Sequence, residues 1–240
     1  MNVVRILGVP FTTNGFTETV TDLATRIQDG ERTHVVTANP EIVMVANEDQ
    51  RFRAIVEQAY IVPDGIGIVY AAKILNYPIT ERVTGIELLE ALMEKANTRK
   101  WKVFLLGAAP EVNQRAAKEL AARYPEAQIV GAIDGYFRAE EEIEIFDQIA
   151  ASKADILFVA MGAPKSDFLI SNYWDRLGVK LAMGVGGSFD VLAGTVKRAP
   201  EIWQRLHLEW LYRLLKQPSR WKRQLAIPRF ILAVFRQKRL

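Results

Sequence analysis

Short apolar runs alternate along the chain with longer stretches in which apolar residues return every three or four positions. The runs Val3–Leu7, His34–Thr37, Tyr60–Val62, Val103–Leu106, Gln128–Ala132, Ile156–Ala160 and Lys180–Val185 are short and mostly apolar, and they predict strands. Between them Thr17–Gln28, Glu41–Ala46, Gly67–Leu75, Gly85–Ala96, Glu111–Arg123, Glu140–Ala150 and Asp167–Trp174 carry the helical period. Thr84, with Glu87 three residues on, predicts a capping box at the start of the fourth helix. Strands that are apolar on both faces, separated by helices, predict an α/β fold: a Rossmann-like, mainly parallel sheet flanked by helices. There is no internal repeat and no low-complexity linker.

After Asp190 the pattern changes. Trp203, Leu206, Trp210, Leu211, Leu214 and Leu215 mark one face of a helix, Pro218 interrupts it, and a second basic helix is expected with Pro228 near its middle. The chain therefore divides into a core over residues 1–195 and a helical appendage over 196–240. Charge divides it in the same place. From Lys197 to Leu240 there are twelve Lys/Arg against Glu201 and Glu209, a balance of +10 in a chain of net +3, so the body before it is mildly acidic. The tail also holds Trp203, Trp210 and Trp221. Cations interleaved with bulky apolar rings suit an anionic, oily interface such as phospholipid or a lipid-linked phosphate. Nucleic acid is the competing partner, disfavoured because the body carries no recognition module. The Trp203–Leu215 stripe leaves three partners open: the body itself, a second subunit of a homo-oligomer, and lipid.

Composition removes several chemistries. The 240 residues contain no Cys, and the two His, His34 and His207, are far apart in sequence, so disulfides, thiolate sites and multi-His metal sites within one chain are excluded. No Asp-x-Asp, Walker loop or Gly-x-Ser-x-Gly elbow occurs. No apolar stretch approaches the ~20 residues that cross a bilayer, and no signal peptide is visible. A cytoplasmic protein is expected, with attachment to the membrane surface as the open question.

Several predicted strands end in small or polar residues, and in open parallel sheets ligands bind beyond those carboxyl ends. Asp64, in Pro63-Asp64-Gly65, is either a turn residue or a general base at a strand mouth. Asn39 either caps the helix after Pro40 or, with Thr37, orients a sugar or phosphate. Arg82 is a solvated charge or an anion clamp. The loop Gly184-Val185-Gly186-Gly187-Ser188-Phe189-Asp190 resembles a phosphate cradle, with Gly186 and Gly187 in the turn and Asp190 as an acid for a ribose or base; ordinary glycine turns look the same. Arg213, Arg220 and Arg223 form either a solvated basic face or, with Trp210, Tyr212 and Trp221 among them, a surface for phosphates.

Taken together, the blocks Thr37-Ala38-Asn39-Pro40-Glu41, Pro63-Asp64-Gly65-Ile66-Gly67, Glu81-Arg82-Val83-Thr84-Gly85, Gly162-Ala163-Pro164-Lys165, Gly184–Asp190, Lys197-Arg198-Ala199-Pro200 and Glu209-Trp210-Leu211-Tyr212-Arg213-Leu214 resemble the WecG/TagA/CpsF glycosyltransferases over essentially the full length. The pattern is nearest the TagA enzymes of wall teichoic acid synthesis. The resemblance implies inverting, metal-independent transfer of N-acetylmannosamine from UDP to GlcNAc on undecaprenyl diphosphate, with no cofactor, by a protein peripheral to the inner face of the bacterial cell membrane. Related members transfer N-acetylmannosaminuronic acid or hexoses. Carried over, Asp64 becomes the base, Thr37 and Asn39 pocket residues, Arg82 their support, and Arg213, Arg220 and Arg223 a clamp on the diphosphate. One departure stands out: where the family pattern continues with Gln-Glu, this chain has Ser166-Asp167. With Ser166 in the binding set, that change implies a different sugar, a slower enzyme, or a UDP-sugar-binding protein without turnover.

Overall fold

The computed structural model describes residues 2–197, 199–200, 202–203, 209–216 and 225–239. Eight strands form one sheet in the order β1-β2-β4-β3-β8-β7-β5-β6, parallel except for the β1–β2 hairpin. They are β1 (Val3–Ile6), β2 (Val9–Thr12), β3 (Thr33–Ala38), β4 (Tyr60–Pro63), β5 (Lys102–Gly107), β6 (Gln128–Ile133), β7 (Ile156–Ala160) and β8 (Leu181–Gly184). The expected α/β architecture is what forms. Central strands β4 and β7 are buried at every position, whereas β1 and β6, at the two edges, alternate or expose their side chains.

Period-two alternation sends successive residues to opposite faces. Val35, Val62, Leu105, Phe158 and Met183 meet α1 (Phe16–Asp29), α5 (Gly85–Arg99), α6 (Pro110–Arg123) and the short α10 (Ser188–Leu192). On the other face Val36 and Ile61 meet α2 (Pro40–Glu48), α3 (Gln50–Gln58) and α4 (Ile66–Ile74), while Leu157 and Ala182 meet α7 (Glu142–Ser152), α8 (Lys165–Asn172) and α9 (Trp174–Leu177). Each fully buried aliphatic or aromatic side chain contributes roughly 1.5–3 kcal/mol of transfer free energy, which is why three such clusters hold the layers together.

Some local details differ from the sequence reading. Strand β2 was not expected because Pro10 interrupts its apolar run. It forms because Leu7 and Gly8, at φ 49° and 78°, make a tight two-residue turn that folds Val9–Thr12 back on β1. Helix α3 went unrecognised because it abuts α2: Asp49 ends one and caps the next, accepting from the Arg51 and Phe52 N–H groups. Thr84 does sit at the N-cap of α5, but its hydroxyl donates to the Glu87 carboxylate at 2.7 Å and does not bond the backbone.

Beyond residue 196, two helices are described, α11 (Glu209–Lys216) and α12 (Ala226–Lys238). Leu206, Pro218 and Trp221 lie outside the described residues. Pro228 falls in the first turn of α12 rather than near its middle, because no amide there needs an intrahelical acceptor. Helix α12 packs on the body: Phe230 and Val234 belong to the cluster of α2 and α4, and the Gln237 side chain bonds the Leu7 N–H and the Arg5 carbonyl. Among the described residues no helix is long and apolar enough to cross a membrane.

Candidate active site

The carboxyl ends of β3 and β4 lie side by side, in register from Val35↔Tyr60 to Ala38↔Pro63. The sequence continues that pairing one step further, since the Asp64 N–H donates to the Ala38 carbonyl at 2.9 Å. A third segment joins them: the Val83 N–H donates to the Pro63 carbonyl at 2.7 Å, so the loop carrying Arg82 runs along the end of β4. That loop is also tied to α1, because Glu81 accepts from the Phe16 N–H at 2.7 Å.

Backbone ties of this kind place side chains well. Asp64 is half-buried between the last residue of β4 and Gly65, whose φ of 87° turns the chain into α4. Asn39 is the N-cap of α2, its Oδ1 accepting from the Ile42 N–H at 3.0 Å. The capping reading is thus correct, yet it uses only half the amide: among the described residues Nδ2 makes no hydrogen bond. A Cβ added to Gly65 would lie 3.9 Å from the Asn39 Cβ, and one added to Gly85 would lie 3.4 Å from the Thr37 Oγ1. Thr37, Asn39, Asp64 and the Arg82 loop therefore ring one mouth.

Strand β8 pairs with the other side of β3, so its loop flanks the same mouth. Gly186, at φ 52°, and Gly187 lead into α10, and a Cβ on Gly187 would stand 3.6 Å from the Asp190 carboxylate. Ser166 and Asp167 sit behind this loop, at the start of α8 and within 3.2 Å of where a Gly184 Cβ would be. Ser166 is 1% exposed, and its hydroxyl accepts from the Met161 N–H and donates to the Val159 carbonyl, closing its own turn. Asp167 is equally buried, its carboxylate 3.4 Å from the His34 imidazole.

The arginines of the tail divide by what is described. Arg220 and Arg223 lie outside the described residues. Position 213 falls within α11, one helical turn after Glu209, and its side chain also lies outside them. Glu209 is the residue that sequence reasoning missed. Its carboxylate pairs with Arg82 Nη1 at 3.1 Å, with only 18% and 13% of the two side chains exposed, so the first residue of α11 is fastened to the mouth loop. The available signal was that Glu209 is one of two acids in a tail of twelve cations. A half-buried carboxylate in such a place needs a cation partner.

Comparison with known proteins shows the family. Residues 4–240 match the model of the glycosyl transferase WecG/TagA/CpsF family. This chain belongs to that family. It is 40% identical, over all of its length and 93% of the relative's, to an N-acetylglucosaminyldiphosphoundecaprenol N-acetyl-beta-D-mannosaminyltransferase of Bacillus spizizenii. Proteins of the same name are 34% identical in Bacillus subtilis, with the same coverage, and 39% identical in Staphylococcus aureus, over 98% of this chain and 93% of the relative. The family member described here is accordingly a glycosyltransferase.

Proposed function

We propose that this glycosyltransferase moves N-acetylmannosamine from UDP to the 4-hydroxyl of GlcNAc on undecaprenyl diphosphate, with inversion, as a step in wall teichoic acid synthesis. The relatives named for that acceptor and that sugar support the reading. The observation that carries it is that Thr37, Asn39, Asp64 and the Arg82 loop meet at the carboxyl ends of β3 and β4.

In this mechanism Asp64 takes the proton of the acceptor hydroxyl as its oxygen attacks the anomeric carbon. The bond from that carbon to the UDP oxygen breaks, and the electron pair leaves with the diphosphate. General-base catalysis contributes about 10²–10⁴-fold. Charge growing on the diphosphate is met, without a divalent ion, by the glycine-turn N–H groups at Gly186 and Gly187 and by Arg213, Arg220 and Arg223. A single such donor is worth roughly 3–4 kcal/mol in the transition state. Asp190 and Ser166 belong to the donor side, Asp190 to the ribose or base and Ser166 through the turn it closes under Gly184. The Arg82–Glu209 pair fastens the start of α11 to the mouth loop.

Residues 196–240 are the membrane-associating part in this reading. On α12 the side opposite Phe230 and Val234 exposes Ile231, Leu232 and Phe235, each close to half accessible, and Arg229, Arg236 and Lys238 flank them. Apolar side chains bordered by long cations suit the headgroup boundary of an anionic leaflet. The protein then works on the cytoplasmic face, where its lipid-linked acceptor is presented. The test is release of UDP from a panel of UDP-sugars with a lipid-diphosphate-GlcNAc acceptor. Selective turnover of UDP-N-acetylmannosamine is expected; selective use of the mannosaminuronic acid or a hexose would reassign the donor, and equal rates in wild type and Asp64→Asn would remove the base.

A further inference from the structure

His34 is the second residue of β3, and its side chain leaves the strand on the same face as Val36 and Ala38. There its Nε2 stands 3.4 Å from Oδ1 of Asp167 in the first turn of α8, with only 10% and 5% of the two side chains exposed. The atoms are within ion-pair distance, yet no hydrogen bond joins them, and among the described residues Nε2 has no other partner. An uncharged imidazole therefore gives Asp167 little. An imidazolium attracts it even so, because Coulomb attraction does not depend on the angle at hydrogen. Among the described residues no other cation lies within ion-pair distance of that carboxylate. A buried carboxylate without an offsetting charge is costly.

The remaining charges around His34 are engaged elsewhere. Its ring stacks against Trp174 of α9 at 6.0 Å, and both rings line a cavity of about 410 Å³ where β3 and β4 begin. On the same wall Arg26 is held by Asp22 and Glu31, and the Tyr60 hydroxyl donates to Asp22. Arg32, exposed, lies over the Trp174 ring and donates to the Trp174 and Val179 carbonyls; Asp175 is exposed as well. From α3, Arg51 lies over the ring of Phe168, 5.5 Å from its centroid. A change of charge on His34 is thus felt first by Asp167.

Asp167 in turn touches the donor side of the mouth. A Cβ added to Gly184 would lie 3.2 Å from Asp167 Oδ1 and equally close to the Ser166 Cβ, so the carboxylate rests against the bare backbone of the last residue of β8. One residue on, the Val185 N–H donates to the Val159 carbonyl at 2.9 Å, and that carbonyl also accepts from the Ser166 hydroxyl at 3.0 Å. A hydroxyl and a carboxylate from the first turn of α8 therefore seat the strand end from which Gly186 and Gly187 lead into α10.

We propose that His34 is a positioning residue for this glycine turn, acting through Asp167. The protonated imidazole offsets the carboxylate and keeps it seated under Gly184; loss of that proton loosens the turn. The proposal rests on the reading of Gly186 and Gly187 as donors to the UDP diphosphate. Histidine changes charge between about pH 5 and 8, so the turn is held firmly in mild acid and loosely in mild alkali.

UDP is the probe, titrated by calorimetry at about pH 5.5 and about pH 8.5. Wild type should bind it roughly five- to tenfold more tightly than His34→Gln at the lower pH, and about equally at the higher. Taking the ratio removes the titration of UDP itself. In an Asp167→Asn background the His34→Gln change should cost no more than about twofold at either pH, because the charge to be offset is gone. The ratio of wild-type to Asp167→Asn affinity should itself fall roughly five- to tenfold between the two pH values, which carries the test if His34→Gln does not fold. Ratios that stay the same at both pH values, or a His34→Gln penalty of equal size with and without Asp167, would overturn the positioning role alone. No binding of UDP by wild type at either pH would overturn the donor reading of the turn, and this role with it.

Discussion

The two ends of the sheet solve the problem of placing polar side chains differently. At the carboxyl end, Asp64 and the Arg82 loop are positioned by backbone bonds passed from strand to strand, Ala38 to Asp64 and Pro63 to Val83. The side chains there are ringed by glycine turns and helix starts. At the amino end, Arg32 and His34 lie against the Trp174 ring, Arg32 also donating to the Trp174 and Val179 carbonyls, and among the described residues the Thr33 hydroxyl and His34 Nε2 make no hydrogen bond. One end is built from bonds the main chain must make anyway; the other is a vacancy left between helices that face different clusters.

The largest effect that separates the ends is on turnover. Asp64→Asn should lower kcat by about 10²–10⁴-fold, measured as UDP release, with the melting temperature little changed. Next in size is Phe230→Ala, which should destabilise the fold by about 3–5 kcal/mol in denaturant unfolding, because Phe230 fills the cluster under α2 and α4, the helices that begin at Asn39 and Gly65. A change below about 1 kcal/mol would show that α12 is not part of the body in solution.

Glu209→Gln should be milder, roughly 1–3 kcal/mol at the docked helix. It leaves Arg82 without its anion, so amide exchange should quicken across α11 while the strands keep their protection, and kcat should fall more than affinity for the donor. Unchanged exchange in α11 would dispose of the Arg82–Glu209 fastening.

A smaller effect belongs to the amino end. Burial first, and then the bond from its hydroxyl to Asp22, push the Tyr60 phenol up to about 12. The folded protein thus holds this proton where the unfolded chain has released it. Its contribution is fully present below pH 10 and is lost as pH rises toward about 12. Tyr60→Phe should flatten that alkaline loss, read as unfolding midpoints across the window, and cost about 1 kcal/mol at neutral pH. The smallest effect is at the Arg5–Glu57 pair, where the bond to Arg5 holds the carboxyl below its ordinary value. Solvent reaches this pair, so Glu57→Gln should cost no more than about 1 kcal/mol above pH 5, and less as acid protonates the wild-type carboxylate.

Most of the sheet was legible because apolar periodicity reports burial directly: all seven strand segments read from the pattern overlap observed strands. Among the elements that escaped, β2 and α3 hide behind Pro10 and the shared cap at Asp49, where one residue closes one element and opens another, and the short α10 begins inside what reads as a glycine loop. The mouth was legible too, since Asn39-Pro40 and Pro63-Asp64-Gly65 punctuate strand ends with turn chemistry. Glu209 was harder to see. Nothing local marks it as the partner of a residue 127 positions earlier.

The sequence by itself determined the layers, the direction of the sheet and the residues that stand at the ends of β3 and β4, because these depend on burial and on turn preferences that act over a few residues. Only the tertiary structure decided the partner of Arg82, the return of α12 to the body and the cavity around Arg32. Each of these joins side chains from distant segments, and their meeting follows from strand order and helix packing, which no local pattern encodes.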